Sequence, residues 1–371
     1  MAEIRLLEPE DIGSVARLFQ TIFRTPALAP PPALNAYLRR LYLEMPGCDR
    51  EIRPLVHVDD AGAITGFVGV NVLPMRYGDR ILRAAVCGSL MVKDREADPM
   101  AGARLLKAFL AGPQDISFSE TASEVSTRMW VGLRGVVLPS YSLDWLRIVR
   151  PASFLTDLVG ERLKAFRLAA PLARSFDRLF RGRLVPGGLR WSGVPSVWPV
   201  QGGLSVLTID KTQFAGLVEP LTRHHALRPD WAKGQLEAVL ADAENKPAHG
   251  DPVFCQVTAP SGAPVGAFLY HLKPNGIARV LEILARPGRA GAVIDCLTGD
   301  AASRGAVALR GRTRPALLEA MLGRRIAFTH LASTVVHSRD AALVRACRDG
   351  EVFFNGISGE HWSRLIGGSF D

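Results

Sequence analysis

The stretch SLMVKDREADPMAGARLL, residues 89–106, decides the fold class of this chain. It begins as the end of an apolar strand predicted over Ile81–Val92, passes through a charged turn, and continues as a helix predicted over Met100–Leu110. The first amides of a helix have no partner within the helix, and together with the helix dipole they attract an anion. The pattern therefore predicts a strand–turn–helix unit that can bind a phosphate group.

Hydrophobic periodicity places this unit inside an α/β domain. The first 150 residues predict the order β-α-α-β-β-β-α-β-α-β-β, and a similar order returns after residue 203. The second set includes strands over Pro264–Leu272 and Ile277–Ala285, a helix over Ala290–Ser303, one strand over Ile326–Val336 and a last strand over Val352–Asn355. A chain of 371 residues is long enough for two such domains.

The strand–turn–helix unit resembles the coenzyme A-binding region of the GNAT superfamily of N-acetyltransferases, whose pattern is V-x-P-x-x-(Q/R)-x-x-G-x-(G/A) followed by x-x-L-L. Asp94, Ala97 and Met100 depart from that pattern. The positions that keep it are Val92, Gly102, Leu105 and Leu106. The resemblance implies that an acyl-CoA, with acetyl-CoA as the first candidate, is bound by the following residues: Leu90, Met91, Val92, Met100, Ala101, Gly102, Ala103, Arg104, Ser123 and Ser126.

The same resemblance implies the architecture of the whole chain. We expect an α/β protein of two tandem GNAT-like domains, each a mixed, mostly antiparallel twisted sheet flanked by helices, joined by a helical linker. The expected boundaries are 1–150 for the N-terminal domain, 151–200 for a basic helical linker and 201–371 for a more degenerate C-terminal domain. In the second half, the turn Arg286–Gly291 matches the first turn by position and is a reserve anion site.

Three side chains are candidates for proton transfer. Glu120 ends the strand that follows the turn, and a carboxylate there with a modestly raised pKa suits the removal of an ammonium proton. Trp130 stands where the GNAT pattern often has a tyrosine acid, and an indole N–H cannot act as that acid, so Tyr141 is the nearby alternative. Glu282 is the base candidate of the second half.

Each of these candidates also has a structural interpretation. Glu120 would then be solvated or cap a helix, Tyr141 would belong to the core, and Glu282 would face solvent. The backbone of Ser89–Val92 is expected to hold the thioester carbonyl by oxyanion-type hydrogen bonds, since strands of this fold diverge here.

The net charge of +9 is concentrated in the middle of the chain, where ten basic residues and three acids lie between Arg147 and Arg190. Segment 151–184 has a helical pattern with apolar and basic positions. It is interpreted as an interdomain helix with solvated or paired arginines, as a helix at an anionic membrane surface, or as a nucleic-acid contact, which is the least favoured of the three.

The aromatic-rich C-terminal residues 353–362 have two interpretations. They either close over a substrate cleft between the domains, or form a packed final strand followed by an exposed tail.

Several classes of protein are disfavoured. The five cysteines are widely spaced without a C-x-x-C pair, which argues against a disulfide framework or a zinc site. The histidines do not have metal-ligand spacing, so no metal is expected. No signal peptide and no apolar run long enough for a transmembrane helix is recognised, so a cytoplasmic protein is expected.

The resemblance implies an acyl-CoA-dependent N-acyltransferase that acts on a primary amine of a small molecule or of a cell-envelope precursor. Two alternatives stay open. One is a non-catalytic GNAT-like protein that binds a ligand or partner, which Ala97, Met100 and Trp130 favour. The other is a Fem-type aminoacyl transferase that takes its donor from charged tRNA, which the basic central segment favours.

Overall fold

The computed structural model describes residues 2–94, 96, 98–160 and 203–370; of residues 157–160 it describes only the backbone. Residues 161–202, which include most of the predicted linker, therefore lie outside the described residues. Of the predicted basic helix over 151–184, only α5 (Pro151–Gly160) is described. Within the described residues, no helix is long and apolar enough to cross a membrane.

The first half of the chain folds into seven strands and four helices ahead of α5. The strands are β1 (Glu3–Leu6), β2 (Leu55–Val58), β3 (Ile64–Tyr77), β4 (Arg80–Val92), β5 (Ile116–Ala122), β6 (Val136–Val137) and β7 (Leu143–Ile148). The helices are α1 (Ile12–Phe23), α2 (Pro32–Arg39), α3 (Ala101–Leu110) and α4 (Glu124–Gly132), and a π-helical turn (Arg40–Glu44) extends α2.

The second half repeats this alternation. Its strands are β8 (Ser205–Thr208), β9 (Leu227–Pro229), β10 (Asp251–Thr258), β11 (Pro264–Leu272), β12 (Ile277–Ala285), β13 (Ala308–Arg312), β14 (Ala327–His330) and β15 (Ser333–Ser338). Its helices are α6 (Lys211–Thr222), α7 (Gln235–Ala243), α8 (Ala290–Ser303), α9 (Pro315–Met321) and α10 (Ala341–Arg348). The predicted bounds of β11, β12 and α8 are confirmed.

The strands form two mixed sheets, and the first sheet takes β9 and β15 from the second half of the chain, while the second sheet takes β7 from the first half. The first sheet has the order β1-β2-β3-β4-β5-β15-β6, with β9 paired to β3. The second sheet has the order β14-β7-β13-β12-β11-β10-β8. Most pairs are antiparallel, whereas β4–β5 and β12–β13 are parallel. The expected fold class of two mixed sheets flanked by helices is confirmed.

The strand exchange corrects one sequence-based prediction. The single strand predicted over Ile326–Val336 is two strands, because the chain bends at Leu331, which is 63% exposed. β14 before the bend pairs with β7 in the second sheet, and β15 after it pairs with β5 in the first. No glycine or proline marks this bend in the sequence. The boundaries 1–150 and 201–371 stay predictions for domains, and the sheets themselves cross that division.

The C-terminal segment is packed inside the protein. The strand predicted over Val352–Asn355 is wrong, since only Val352 forms an isolated bridge, to Leu227. Phe354 is fully buried and stacks on Phe118 and Tyr141, with ring centroids 4.9 and 4.7 Å away. Trp362 and Phe370 are buried as well. The interpretation as an exposed tail is therefore wrong, because its aromatic side chains complete the core shared by the two halves.

Because the two sheets exchange strands, we expect the whole chain to unfold in a single transition. Val336 of β15 is fully buried in the first sheet, so Val336→Ala should lower the free energy of unfolding by about 1–3 kcal/mol. Because β7 and β15 tie the sheets together, tryptophan fluorescence and far-UV circular dichroism should follow a single urea transition at a lower midpoint.

Val131→Ala, at a position 52% exposed on α4, is the matched control and should leave the midpoint nearly unchanged. Two separate transitions, with Val336→Ala moving only one of them, would contradict the coupling.

Candidate functional site

The first sheet opens where β4 and β5 separate. Their parallel register runs from Ala84–Val86 on β4 to Ile116–Phe118 on β5, and no pairing joins them beyond that point in the described chain. On the other edge of β4, the register with β3 shifts between Gly69 and Phe67, which places an extra residue in β4. Ser89 lies in this bulge with a φ of 53°, a backbone conformation that residues other than glycine rarely adopt. Such strain is common at functional sites.

The C-terminal segment fills the opening between β4 and β5. The Glu360 carboxylate accepts hydrogen bonds from the Ser119 hydroxyl (3.0 Å), the Glu120 amide (3.2 Å) and the Thr121 hydroxyl (2.5 Å). These donors are three consecutive residues at the end of β5. Glu360 thereby takes the place of a strand partner for β5.

Glu120 binds the same segment in return. Its carboxylate accepts hydrogen bonds from the amides of Glu360 (2.8 Å) and His361 (2.9 Å) and contacts the His361 ring nitrogen Nδ1. In the side-chain orientation that satisfies its neighbours, the Asn355 amide donates to the second oxygen at 3.2 Å. The Glu120 side chain is fully buried. We call this reciprocal arrangement of Glu120, Glu360 and His361 the carboxylate clasp.

The two carboxylates of the clasp have opposite electrostatic environments. Burial and the nearby Glu120 carboxylate raise the pKa of Glu360 to about 7. Burial opposes ionisation of Glu120 as well, but His361, together with Arg312 and the Glu360 amide, outweighs burial and lowers the pKa of Glu120. The same contact raises the pKa of His361 against the effect of desolvation. Glu120 and His361 therefore form an ion pair, while Glu360 titrates near neutral pH.

A cavity of about 430 Å³ lies against the clasp, and we call it the first cleft. Glu360 and His361 form one wall, and Gly88 and Ser89 at the β4 bulge form another. Residues of α1 and of the π-helical turn complete it, among them Phe19, Phe23, Leu41 and Tyr42. The cleft thus joins a strained strand, an apolar helical wall and a carboxylate that changes protonation near pH 7.

Tyr42 brings a phenol to the first cleft. The side chain is 4% exposed, and burial raises its pKa, so the hydroxyl is a neutral hydrogen-bond donor. Its hydroxyl lies so close to Gly69 on β3 that a side chain at that position would collide with it. Gly69 therefore permits the phenol to approach the β4 bulge.

The predicted phosphate-binding turn follows β4 and leads into α3. The amides of Gly102 and Ala103, in the first turn of α3, have no acceptor among the described residues. Asp98 accepts a hydrogen bond from the Met100 amide (3.3 Å) and forms an ion pair with Arg104. The negative charge of Asp98 at this turn is therefore offset by Arg104. The two amides can donate hydrogen bonds to a phosphate group, and the helix dipole favours an anion at this end of the helix.

The other predicted cofactor residues have mainly local contacts. Met91 is buried in the core on β4. The Ser123 hydroxyl caps α4 by accepting the Ser126 amide at 3.3 Å. Ser123 and Ser126 do not line the first cleft. The predicted contact of Ser123 and Ser126 with a cofactor therefore stays a prediction.

The structure does not bring Tyr141 to the first cleft. Its side chain is fully buried, and its hydroxyl donates to the Val352 carbonyl at 2.9 Å and accepts from the Val352 amide at 3.3 Å. Trp130 is also fully buried and packs against Phe109 at a centroid distance of 6.2 Å. Tyr141 thus has the core role that was its structural interpretation.

Glu282 faces the interior instead of solvent. It is 3% exposed and pairs with the buried Arg314 at 2.6 Å. Its other oxygen accepts the Ile357 amide of the C-terminal segment at 3.4 Å. Burial raises its pKa even though Arg314 opposes the shift. The interpretation as a solvent-facing strand residue is wrong, because Glu282 anchors the same segment that Glu120 anchors in the first sheet.

The reserve turn Arg286–Gly291 is partly occupied by the protein itself. The Arg324 guanidinium packs directly on Gly291 at the start of α8, leaving no room for a side chain there. Arg324 is held by Asp295 at 2.9 Å. Among the residues that the structure describes, no group of three His, Cys, Asp or Glu side chains is placed to hold a metal ion.

Three residues of the site were not among the sequence-based candidates. Glu360 and His361 follow Glu120 by about 240 positions in the sequence, so no local pattern connects them. The aromatic tail around them was the available signal, since one interpretation had it closing over a cleft. Tyr42 lies in the π-helical turn Arg40–Glu44, and no motif in the sequence pointed to it.

No protein-family model and no curated protein sequence matches the chain. Solved structures do match over most of its length. A protein from Enterococcus faecalis named as a probable N-acyltransferase gives a TM-score of 0.58 at 9% identity, over 91% of this chain and 73% of its own. A GCN5-related N-acetyltransferase from Anabaena variabilis gives 0.58 at 10% identity, over 92% of this chain and 73% of its own.

A third match is the N-myristoyltransferase of Saccharomyces cerevisiae, solved with bound myristoyl-CoA. It gives a TM-score of 0.50 at 11% identity, over 91% of this chain and 80% of its own. Identities this low establish a shared fold and carry no residue-level assignment.

The ion pair in the clasp predicts a coupled titration. Glu120→Gln should lower the pKa of His361, because the carboxylate that raises it is lost. In the wild-type protein, a raised His361 pKa contributes stability below the unfolded-state pKa that is lost as pH rises through the folded-state pKa. The variant should lose this dependence.

Two-dimensional NMR of the histidine rings measures this shift. His249, whose pKa is lowered to about 4 mainly by burial, is the internal control and should not change. An unchanged His361 pKa in Glu120→Gln would show that the ion pair does not form.

Proposed function

Because the chain has the fold of the GNAT superfamily, with two mixed sheets in tandem, we propose that it is an acyl-CoA-dependent N-acyltransferase. The observation that carries this proposal is the first cleft, where Glu360, a carboxylate with a pKa of about 7, faces the opening between β4 and β5. A base of that pKa can accept a proton at physiological pH.

The chain offers groups that suit the parts of an acyl-CoA. The free amides of Gly102 and Ala103 at α3 would hold the pyrophosphate, and the backbone around Ser89 would lie along the thioester. When bound, acyl-CoA supplies an acyl group activated as a thioester. Acetyl-CoA is the first donor to test, and longer acyl chains are the alternative.

The proposed chemistry assigns one role to each residue of the cleft. The acceptor amine attacks the thioester carbonyl carbon, so a C–N bond forms and the C–S bond breaks. Glu360 removes the proton of the amine, and Tyr42, whose phenol is neutral, donates a proton to the leaving sulfur. Glu120 and His361 hold Glu360 in place. The role of base that the sequence suggested for Glu120 therefore passes to its partner.

The acceptor is proposed to be a primary amine of a small molecule or of a cell-envelope precursor. It would enter the first cleft past the apolar wall of Phe19 and Phe23, and Glu360 is the carboxylate that lines this cleft among the described residues. An apolar wall with few polar groups is typical of a small-molecule site.

A non-catalytic ligand-binding role is the second candidate. Met100 is 58% exposed at the turn where the GNAT pattern has glycine, and Asp98 keeps a carboxylate beside it. Both features weaken a phosphate site. Binding of acyl-CoA without release of thiol, over a panel of amines, would favour this candidate. Salt-sensitive binding of charged tRNA would instead favour a Fem-type transferase.

Glu360→Gln tests the proposed base. With an active acyl-CoA and amine pair, kcat/KM should fall by about 10²- to 10⁴-fold, while acyl-CoA binding measured by calorimetry stays unchanged. Glu124→Gln, at an exposed position on α4, is the matched control and should keep full activity.

The pH profile gives a second readout of the same group. In the wild-type protein, kcat/KM should rise about tenfold per pH unit below pH 7 and level off above it, since the base must be deprotonated. The rising limb should vanish in Glu360→Gln. Full activity of Glu360→Gln with an unchanged profile would remove Glu360 from the mechanism.

Gly102→Glu tests the predicted donor site. A carboxylate at the start of α3 should weaken acyl-CoA binding at least tenfold, because it repels the pyrophosphate. Gly102→Ala is the control, since a Cβ there meets its nearest neighbour, Met129, at an ordinary 3.6 Å. Unchanged acyl-CoA affinity in Gly102→Glu would place the donor elsewhere.

A further inference from the structure

The first cleft contains a charged side chain that the proposed transfer leaves unused. Arg24 is the residue that follows α1, and it lines the cleft together with Phe19 and Phe23 of that helix. Glu360 is the acidic residue of the lining among the described residues. The cleft therefore presents a carboxylate and a guanidinium to a molecule that enters it.

The Arg24 side chain is held in place at both of its ends. The backbone amide donates to the Gln20 carbonyl at 3.2 Å, so the end of α1 fixes where the side chain begins. At the far end, the terminal nitrogen Nη2 donates to the Gly368 carbonyl at 3.2 Å, in a turn that the Gly368 amide closes on the Arg364 carbonyl at 3.1 Å. The guanidinium carbon lies 5.7 Å from the centroid of the Phe19 ring. Arg24 thus joins α1 to the C-terminal segment beside the apolar wall of the cleft.

Most hydrogen-bond donors of this guanidinium are available to a ligand. A guanidinium has five N–H donors, and the bond to the Gly368 carbonyl uses one of them. Within the described residues, Arg24 forms no ion pair with a carboxylate. The side chain is exposed, so a ligand can reach the remaining donors from solvent.

The other surfaces of the first cleft suit an amine and an apolar group. Glu360 is the proposed base, so the acceptor nitrogen lies beside it. The rings of Phe19 and Phe23 give the apolar wall, and a volume of about 430 Å³ is that of a small-molecule site. His361, the other basic side chain of the lining among the described residues, is already bonded to Glu120. A second charged group of the acceptor therefore has Arg24 as its partner.

We propose that the acceptor of the first cleft is an apolar amino acid, with its carboxylate on Arg24, its amine beside Glu360 and its side chain on Phe19 and Phe23. This inference rests on the acyltransferase function proposed above and names its substrate class. The planar guanidinium matches a carboxylate through two parallel hydrogen bonds. A carboxylate carries one negative charge, which a single arginine balances, whereas a phosphate monoester carries nearly two and is repelled more strongly by Glu360.

The amino acid changes no step of the transfer. Its neutral amine nitrogen forms the C–N bond with the thioester carbonyl carbon and loses one proton to Glu360, while the C–S bond breaks and Tyr42 gives the sulfur its proton. The carboxylate stays ionised on Arg24 and takes no part in bond making. Because Arg24 holds the carboxylate equally before and during transfer, its contribution is uniform binding, which affects KM and not kcat.

Three related amines separate the carboxylate from the rest of the acceptor. L-Leucine has the carboxylate, L-leucinamide replaces it with a neutral amide of nearly the same size, and isopentylamine lacks the group altogether. The rate of thiol release is measured on the full-length protein with each amine, using acetyl-CoA and a longer acyl-CoA as donors. Because the three amines differ in intrinsic reactivity, the informative quantity is the change that a variant causes for each of them.

Arg24→Gln is the test variant, and Arg17→Gln, which removes the same charge from an exposed position on α1, is its matched control. We expect Arg24→Gln to raise the KM for leucine about tenfold with kcat nearly unchanged, since a charge-assisted hydrogen bond is lost. The same variant should leave the KM for leucinamide and for isopentylamine unchanged. Arg17→Gln should match the wild-type protein with all three amines.

Calorimetry with leucine in the presence of free CoA gives a readout that needs no transfer, and Arg24→Gln should lower this affinity about tenfold. Transfer to amines that Arg24→Gln changes equally for all three, or not at all, would overturn the inference and leave the acyltransferase proposal standing. Absence of thiol release with every donor and amine would instead remove the proposed function. Leucine binding that depends on Arg24 would then still support the carboxylate site, and absence of that binding would overturn it as well.

Discussion

The reciprocal bond between Glu120 and Glu360 is the interaction on which the rest of the site depends. Each carboxylate accepts the backbone amide of the other residue, at 2.8 and 3.2 Å, across 240 positions of sequence. Two carboxylates so close and so deeply buried would repel each other strongly if both were isolated charges. His361 and the hydroxyls of Ser119 and Thr121 supply the opposite partial charges that make the arrangement stable.

This clasp determines the shape of two cavities. The C-terminal segment crosses from the second sheet, where Glu282 holds the Ile357 amide, to the first sheet, where Glu120 holds Glu360. One short segment thus forms a wall of the first cleft and of a cavity of about 230 Å³ in the second sheet, and His361 lines each of them. The exchange of β7 and β15 between the sheets has the same consequence, because neither sheet is complete without residues from the other half.

The sequence predicted the local elements well because they depend on local patterns. Period-2 and period-3.6 alternation located β11, β12, α8 and the turn before α3, and the spacing around Val92 and Gly102 was enough for the GNAT fold. The strand exchange was not predictable in this way. β14 and β15 were predicted as one strand over Ile326–Val336, and which sheet each part joins is decided by long-range packing.

The same limit applies to the site. Glu120 was a candidate because it ends the strand after the turn, but Glu360 is brought to it only by the folded C-terminal segment. Tyr141 and Trp130 were placed near the site by pattern position. The burial of Tyr141 depends on Phe354, from a distant part of the chain, and Trp130 packs against Phe109 on α3.

A crystal structure of the full chain with a non-hydrolysable thioether analogue of acetyl-CoA tests the central claim most directly. The account predicts that the pyrophosphate lies at the amides of Gly102 and Ala103, and that the acyl carbonyl lies in the first cleft beside Ser89, with the clasp intact and Glu360 facing the acyl group. An analogue bound at Arg286–Gly291, or bound in the first half only after the C-terminal segment has left the opening, would contradict it.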